Sequence, residues 1–326
     1  MRRFSVALYC PDRTIVYDGR TPDAIGVGGG VTARLSMVEA LAALGHDVTA
    51  YLNCAEPLTH GGVKYVPLDQ LTRIQADVLV TITTGGARTF EPLAAIPVET
   101  RLRIFWAQGV LEPARLDVVS PHYYYVVSNF VRDVAVERWG VPAAKVFVTY
   151  NGLKQPMFAA AEAAEPARDP WAMAYIGPFE KGFDSAVAVL RRLREHDSRF
   201  HLDAIGGPAL WAQPVVPPAP EPGLSFRGMV GQAELIPSLF RYEYVLAPQS
   251  MEEGFGIAVQ EAKRAGAIVV VSRISAYDEL IDDGVDGFLV GGAHTSAPAR
   301  EAMARIILDL SANPRQLLGH IKLMAI

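Results

Sequence analysis

Two glutamates eight positions apart, Glu253 and Glu261, carry the clearest chemistry in the sequence. Between them lies Gly254-Phe255-Gly256, before them an apolar run at 244–247, and after them Gly266 and a second apolar run at 267–271. The pattern predicts strand, loop, short helix, glycine stop and strand. A helix start behind a glycine-rich loop offers unpaired backbone N–H groups and the positive end of the helix dipole. Glycine also lets the backbone approach a ligand closely. Glu253 falls in the loop and Glu261 two turns along, because eight helical residues rise roughly 12 Å. Carboxylate acceptors at both ends of a row of donors suit a ligand with hydroxyls at both ends and phosphate in the middle. A nucleotide sugar has that layout.

Glu253-Gly254-Phe255-Gly256 through Glu261-Ala262 and Ala265-Gly266 resembles the signature of the retaining, GT-B-fold glycosyltransferases of family 4, a Glu, seven residues and a second Glu. Asp278-Glu279-Leu280-Ile281, Asp283-Gly284 and Asp286-Gly287-Phe288-Leu289-Val290 continue that family's pattern. The resemblance implies an α/β chain of two Rossmann-like parallel-sheet domains facing a cleft. It also implies a metal-independent hexosyltransferase that uses a nucleoside diphosphate sugar as substrate and needs no cofactor. Carried over onto this sequence, Glu253 is the catalytic-site residue that binds the transferred sugar's hydroxyls, and Glu261 binds the ribose. The amides of Gly254, Phe255, Gly256 and Ile257 steady sugar and phosphate. Gly177 and Lys181, in Tyr175-Ile-Gly177-Pro-Phe-Glu-Lys181-Gly182, match the segment that opens the donor-binding domain and meets the diphosphate. Gly29 and Gly30 match the family's N-terminal glycine loop.

Two positions depart from that pattern. The arginine that the family commonly carries after the first glycine of the Lys segment is Pro178 here. Arg227 and Arg88 are the candidates for a second phosphate cation. The stretch where many members carry a histidine reads Arg103-Ile-Phe-Trp-Ala-Gln108-Gly109, so Trp106 and Gln108 are the acceptor-side candidates. His122 precedes its strand and should lie at the wrong end of the sheet. A front-face retaining transfer uses the leaving phosphate as base, so the missing histidine is compatible with activity. The alternatives are a nucleotide-sugar-binding subunit with little activity of its own and a GT-B nucleotide-sugar epimerase, for which no acid/base set is found.

Other constellations carry less. Gly28-x-Gly30-x-x-Ala33 formally fits a dinucleotide fingerprint, but no strand ends at the first glycine and no acid follows the next strand. Ser128-Asn129 and Asn151-Gly152 are ordinary cap and turn residues. The sequence holds no strand-flanked D-x-D, no His/Cys metal spacing, no G-x-S-x-G elbow and no P-loop.

The elements that must position these residues alternate from end to end, as in stacked βαβ units. Predicted strands are 4–9, 47–52, 77–82, 102–106, 124–127 and 145–149 in the first half. In the second half they are 172–176, 200–205, 244–247, 268–271 and 287–290. Predicted helices are 31–44, 130–139, 184–195, 233–240, 256–265 and 297–310. The domains are expected at 1–156, on the acceptor side, and 171–326, on the donor side. The Ala/Glu/Pro-rich stretch 157–170 is expected as the linker. A second loop, 208–223, carries six prolines and cannot be a central strand or helix. Relatives continue past Asn313-Pro314 with a helix that crosses back to the first domain, whereas this chain runs only to Ile326.

The 326 residues suffice for two domains, and 50% hydrophobic with 20% charged residues is the profile of a globular protein. A net charge of −5 without a basic block gives no footprint for nucleic acid. Two cysteines, Cys10 and Cys54, make neither a disulfide framework nor a metal set. No run approaches the length of a spanning helix and the run at 4–9 is too short for a signal peptide, so a cytoplasmic location is expected. The partners expected are the nucleotide-sugar donor and a hydroxyl acceptor, whether sugar, lipid-linked or small molecule. The resemblance also allows peripheral membrane contact.

Overall fold

The computed structural model describes residues 2–83, 89–207, 214 and 217–313. Arg88, the end of the chain beyond Asn313, and 208–213 and 215–216 of the proline-rich loop lie outside the described residues. The first sheet has eight strands: β1 Ser5–Tyr9, β2 Asp47–Leu52, β3 Leu58–His60, β4 Val63–Pro67, β5 Ile74–Ile82, β6 Val98–Ala107, β7 Tyr123–Val126 and β8 Val146–Val148. Their order is β3-β4-β2-β1-β5-β6-β7-β8, and every pairing is parallel except β3 with β4. The second sheet has six: β9 Asp169–Gly177, β10 His201–Gly206, β11 Leu224–Gly228, β12 Tyr242–Ala247, β13 Ile268–Ser272 and β14 Phe288–Val290. It is wholly parallel, in the order β11-β10-β9-β12-β13-β14.

Among the parallel strands, each sheet reverses strand order once, between β1 and β5 and between β9 and β12. Ligands of open parallel sheets bind at the carboxyl ends of the strands beside such a switch. In the second sheet that places Gly177 and the loop after Ala247 side by side.

Side chains alternate across a strand, and the second sheet buries both faces. Met173, Tyr175, Tyr244, Leu246, Ile268 and Val270 form one core with helices Phe183–Arg194 and Ala297–Ala312. Ala172, Ala174, Val245, Val269 and Val271 form the other with helices Gln155–Ala163, Gln232–Leu239 and Ile257–Arg264. All five residues of β13 are buried, which is why its first four, 268–271, form an unbroken apolar run.

The structure departs from the sequence reading at several places. The stretch 157–170, expected as a linker, carries regular structure. Residues Gln155–Ala163 are helical, with Phe158 and Ala161 in the second core, and Asp169 and Pro170 open β9. Contacts divide the chain after Gly152, and the second unit also takes in Asp23–Gly28, where Asp23 pairs with Lys154 at 3.0 Å. Strands β3, β4 and β11 were not expected. The segment 130–139 is an α-turn, Asn129–Asp133, followed by a π-turn, Val134–Arg138.

Candidate functional site

In the second unit β9 ends at Gly177, with φ +153, and the chain passes through Pro178 and a 3-10 turn, Phe179–Lys181. Pro178 takes up its position by accepting from Tyr175 Oη at 2.5 Å and from Lys181 N at 3.2 Å. Gly182 then opens the helix Phe183–Arg194 with φ +143. A Cβ at Gly182 would overlap the carbonyl oxygen of Pro248, so only glycine permits this approach of two backbones. Lys181 is thereby brought to the loop that follows β12.

There Lys181 Nζ donates to Glu253 Oε2 at 2.7 Å, with side chains 26% and 18% exposed. Glu253 Oε1 accepts from Gly256 N at 3.2 Å. Burial alone would raise the Glu253 pKa. The Lys181 charge and the amides of Phe255 and Gly256 outweigh it and hold the carboxylate below its usual value. The structure thus brings Glu253, Lys181, Phe255 and Gly256 together. Gly254 lies between them in the chain, and Ile257 begins the helix Ile257–Arg264. Gly256 sits in the left-handed region, φ +72, and a Cβ there would come within 2.5 Å of the Tyr277 ring.

Glu261 is the fifth residue of this helix, about one turn from its start rather than the two turns expected, because the helix begins only at Ile257; it is 4% exposed. Its pKa is raised to about 7 by burial, against a hydrogen bond from Gln232 and the nearby charge of Lys154. Gln232 is itself buried, and its Oε1 has no partner among the described residues.

Several candidates prove to be otherwise engaged. Arg227, read as a phosphate cation, pairs with Asp203 at 3.3 Å, with Glu234 and with Tyr242 Oη at 3.3 Å. Two carboxylates beside it neutralise its charge, so it does not fit a phosphate site. In the segment that continues the family pattern, Asp278 and Asp283 pair with Arg273, and Asp286 pairs with Lys263 at 2.5 Å. Among the described residues no group of three or more His, Cys, Asp or Glu side chains could hold a metal ion.

In the first unit Gly29 and Gly30 form the first turn of the helix Gly29–Ala43. Gly30 is fixed by Arg34, whose Nε donates to Gly30 O at 3.1 Å while Nη1 donates to Cys10 Sγ at 2.8 Å and to Tyr17 Oη. Arg34 is fully buried, and no local sequence signal marked it. Trp106 is also buried, stacked on Tyr125 at 5.0 Å, and its Nε1 has no partner among the described residues. Gln108, just past β6, exchanges two amide hydrogen bonds with Asn151, at 3.0 and 3.3 Å. His122 stands at the amino end of β7 and accepts from Arg103 N through Nδ1 at 2.9 Å. Ser128 caps its helix by accepting from Val131 N.

Residues 172–313 match the protein family described as glycosyl transferases group 1. A glycogen synthase of Mycobacterium tuberculosis is 29% identical over 188 residues, 56% of this chain and 44% of the relative. A D-inositol 3-phosphate glycosyltransferase of Streptomyces coelicolor is 34% identical over 140 residues, 40% of this chain and 29% of the relative. The chain thus spans less than half the length of these curated relatives. Among solved structures, Anabaena HepE in complex with UDP-glucose superposes with a TM-score of 0.68 at 13% identity, covering 99% of this chain and 94% of that one. Sucrose-phosphate synthase from Thermosynechococcus elongatus gives 0.67 at 16% identity, covering 99% and 93%. The fold, two parallel-sheet α/β domains, is GT-B.

Proposed function

We propose that the chain is a retaining glycosyltransferase of the family 4 type. It moves a hexose from a nucleoside diphosphate sugar to a hydroxyl acceptor without a metal ion. The observation that carries this reading is the Lys181–Glu253 pair at the start of the helix Ile257–Arg264, with the buried carboxylate of Glu261 about one turn into that helix. The group 1 match over this region and the nucleotide-sugar complex of HepE support it.

In this reading Glu261 accepts from the ribose hydroxyls, and Glu253 from those of the transferred sugar. Lys181 has three N–H donors, so it can keep Glu253 and still reach the diphosphate. The bond from the anomeric carbon to the phosphate oxygen breaks as the acceptor oxygen bonds to the same face. The acceptor's proton passes to the leaving phosphate. Lys181 and the amides of 254–257 stabilise the charge that develops on the departing nucleoside diphosphate, which is the main physical work such a site can do. No helix among the described residues is long and apolar enough to cross a membrane.

A panel of UDP-, GDP-, ADP- and dTDP-hexoses tests the reading. Thermal shift identifies the donor, since a ligand at 100 times its Kd adds about 2.7 kcal/mol of stability. Release of nucleoside diphosphate from that donor, measured with EDTA and with Mg²⁺, is expected to agree within about twofold. Activity abolished by EDTA and restored by Mg²⁺ would overturn metal independence. A folded chain that binds no donor would overturn the reading as a whole.

A further inference from the structure

Behind Lys181, three segments of the second unit converge on one hydroxyl. Ser185 lies in the first turn of the helix Phe183–Arg194, His294 lies between β14 and the last helix, and Arg300 lies on that helix. Ser185 Oγ is 2.9 Å from the His294 carbonyl oxygen, 2.9 Å from His294 Nδ1 and 3.2 Å from Arg300 Nε. A hydroxyl has one proton and two lone pairs. If the proton goes to the carbonyl, the lone pairs accept from Arg300 Nε–H and His294 Nδ1–H, and every group is satisfied. If it goes to Nδ1, the hydroxyl and carbonyl oxygens face each other with no hydrogen between them. The first arrangement holds, and it fixes His294 as the Nδ1–H tautomer. Burial and the Arg300 charge both keep the ring neutral. Ser185 and His294 are buried, where an unmade hydrogen bond is costly.

The same imidazole backs the closest backbone contact of the site. His294 Nδ1 lies 3.3 Å from the point where a Gly182 Cβ would stand, the point that overlaps Pro248 O. Lys181 directly precedes Gly182, and the loop bearing Glu253 leaves from Pro248. The direction of the flexible lysine stem is therefore set by how firmly Gly182 is held against Pro248.

We propose that His294 and Ser185 are positioning residues. Their hydrogen bonds clamp the start of the helix Phe183–Arg194 to the Pro248 loop, and this keeps the Lys181 ammonium at Glu253. The consequence for turnover rests on the transferase reading above; the clamp itself does not.

Two measurements test the clamp. In the ligand-free protein, pulse acylation with acetic anhydride reads the exposure of each lysine by peptide mass spectrometry. Lys181 should react several-fold faster in folded Ser185→Ala and His294→Leu than in the parent chain. His294→Asn, whose amide N–H takes the place of Nδ1–H, should stay near the parent rate. Lys263, held by Asp286 elsewhere, should be unchanged throughout. An unchanged Lys181 rate, or Lys181 and Lys263 accelerating together as in general loosening, would overturn the proposal. In the second measurement, donor turnover by Ser185→Ala should fall about tenfold in kcat with little change in KM. The Lys181→Met/Ser185→Ala double variant should be no slower than Lys181→Met alone. Multiplying losses would mean that Ser185 does not act through Lys181. A parent chain that turns over no donor rejects the transferase reading, while the acylation rates still decide the clamp.

Discussion

Glu253 and Glu261 sit on one loop and helix, yet their protonation equilibria are pushed apart. Glu253 is held below the usual carboxylate range by Lys181 and two backbone amides, whereas Glu261 is raised to about 7 by burial. Environment, not residue type, pushes the two carboxylates in opposite directions.

Glu253→Gln separates the two roles. The amide keeps the shape but loses the charge facing Lys181. We expect donor turnover to fall while nucleoside diphosphate affinity, read by calorimetry, stays nearly intact. Equal loss of both would show that Glu253 contacts the nucleotide instead. Breaking this partly buried hydrogen-bonded pair should also cost about 1–3 kcal/mol at neutral pH. Because the folded pKa is depressed, that contribution exists above the ordinary carboxylate pKa and fades as pH falls through the folded value. The stability gap between variant and parent should therefore close in acid.

Gly256→Ala tests the loop's shape by two independent costs. A left-handed φ of +72 disfavours any Cβ, by about 1–2 kcal/mol. The new Cβ would also press on the Tyr277 ring at 2.5 Å, and overpacking costs about 1–3 kcal/mol. Tyr277→Ala should remove the second cost only, so a Gly256→Ala/Tyr277→Ala cycle in urea unfolding should show coupling of about 1 kcal/mol or more. Strict additivity would mean that the ring moves aside freely.

The central strands of the second sheet were legible because burial on both faces demands unbroken apolar runs, as at β13. Glu253 and Lys181 stood out because each follows a strand near a glycine, and Glu261 because it lies eight positions after Glu253. Strands β3, β4 and β11 were missed because they lie at or beside sheet edges and show one face to solvent. The helix Gln155–Ala163 hid because little of it is buried beyond Phe158 and Ala161. The residues that hold the site in shape left no local trace. His294 meets Ser185 across 109 positions, Gln232 meets Glu261 across 29, Arg34 meets Cys10 across 24 and Tyr277 meets Gly256 across 21. Spacing reveals groups that share one turn or strand end, not groups that tertiary packing brings together.

Arg34 should prove a stability residue of the first unit. Its guanidinium donates to Gly30 O, Cys10 Sγ and Tyr17 Oη at once, and a lysine ammonium on a single stem cannot reproduce that fork. Arg34→Lys and Arg34→Met should both destabilise the chain by about 3 kcal/mol, as expected when a buried charged network loses one member. Thermal unfolding measures the loss, and hydrogen exchange should show it first around Gly29 and Gly30. A lysine variant as stable as the parent would refute the need for the fork.

Glu261 should make stability and ligand binding respond oppositely to pH. Its folded pKa of about 7 exceeds the ordinary value of 4.5, so between those pH values the folded chain holds more proton than the unfolded chain. Folding stability from this group is then full below about pH 4.5 and is lost as pH rises to about 7, by at most about 3 kcal/mol. Above that range the carboxylate is charged and buried, which is unfavourable until a ligand donates to it. Ribose hydroxyls are such donors, so nucleoside diphosphate affinity should rise from pH 6 to pH 8 while the melting temperature falls. In Glu261→Gln both trends should flatten. The variant should be the more stable protein at pH 8, yet bind nucleoside diphosphate more weakly by about 1.5–3 kcal/mol, the loss of a charged acceptor. Melting curves and calorimetric titrations of the two proteins at both pH values check this. A Glu261→Gln variant that binds as tightly as the parent at pH 8 would remove Glu261 from the nucleotide site, and a parent melting temperature that is flat from pH 5 to pH 8 would refute its raised pKa.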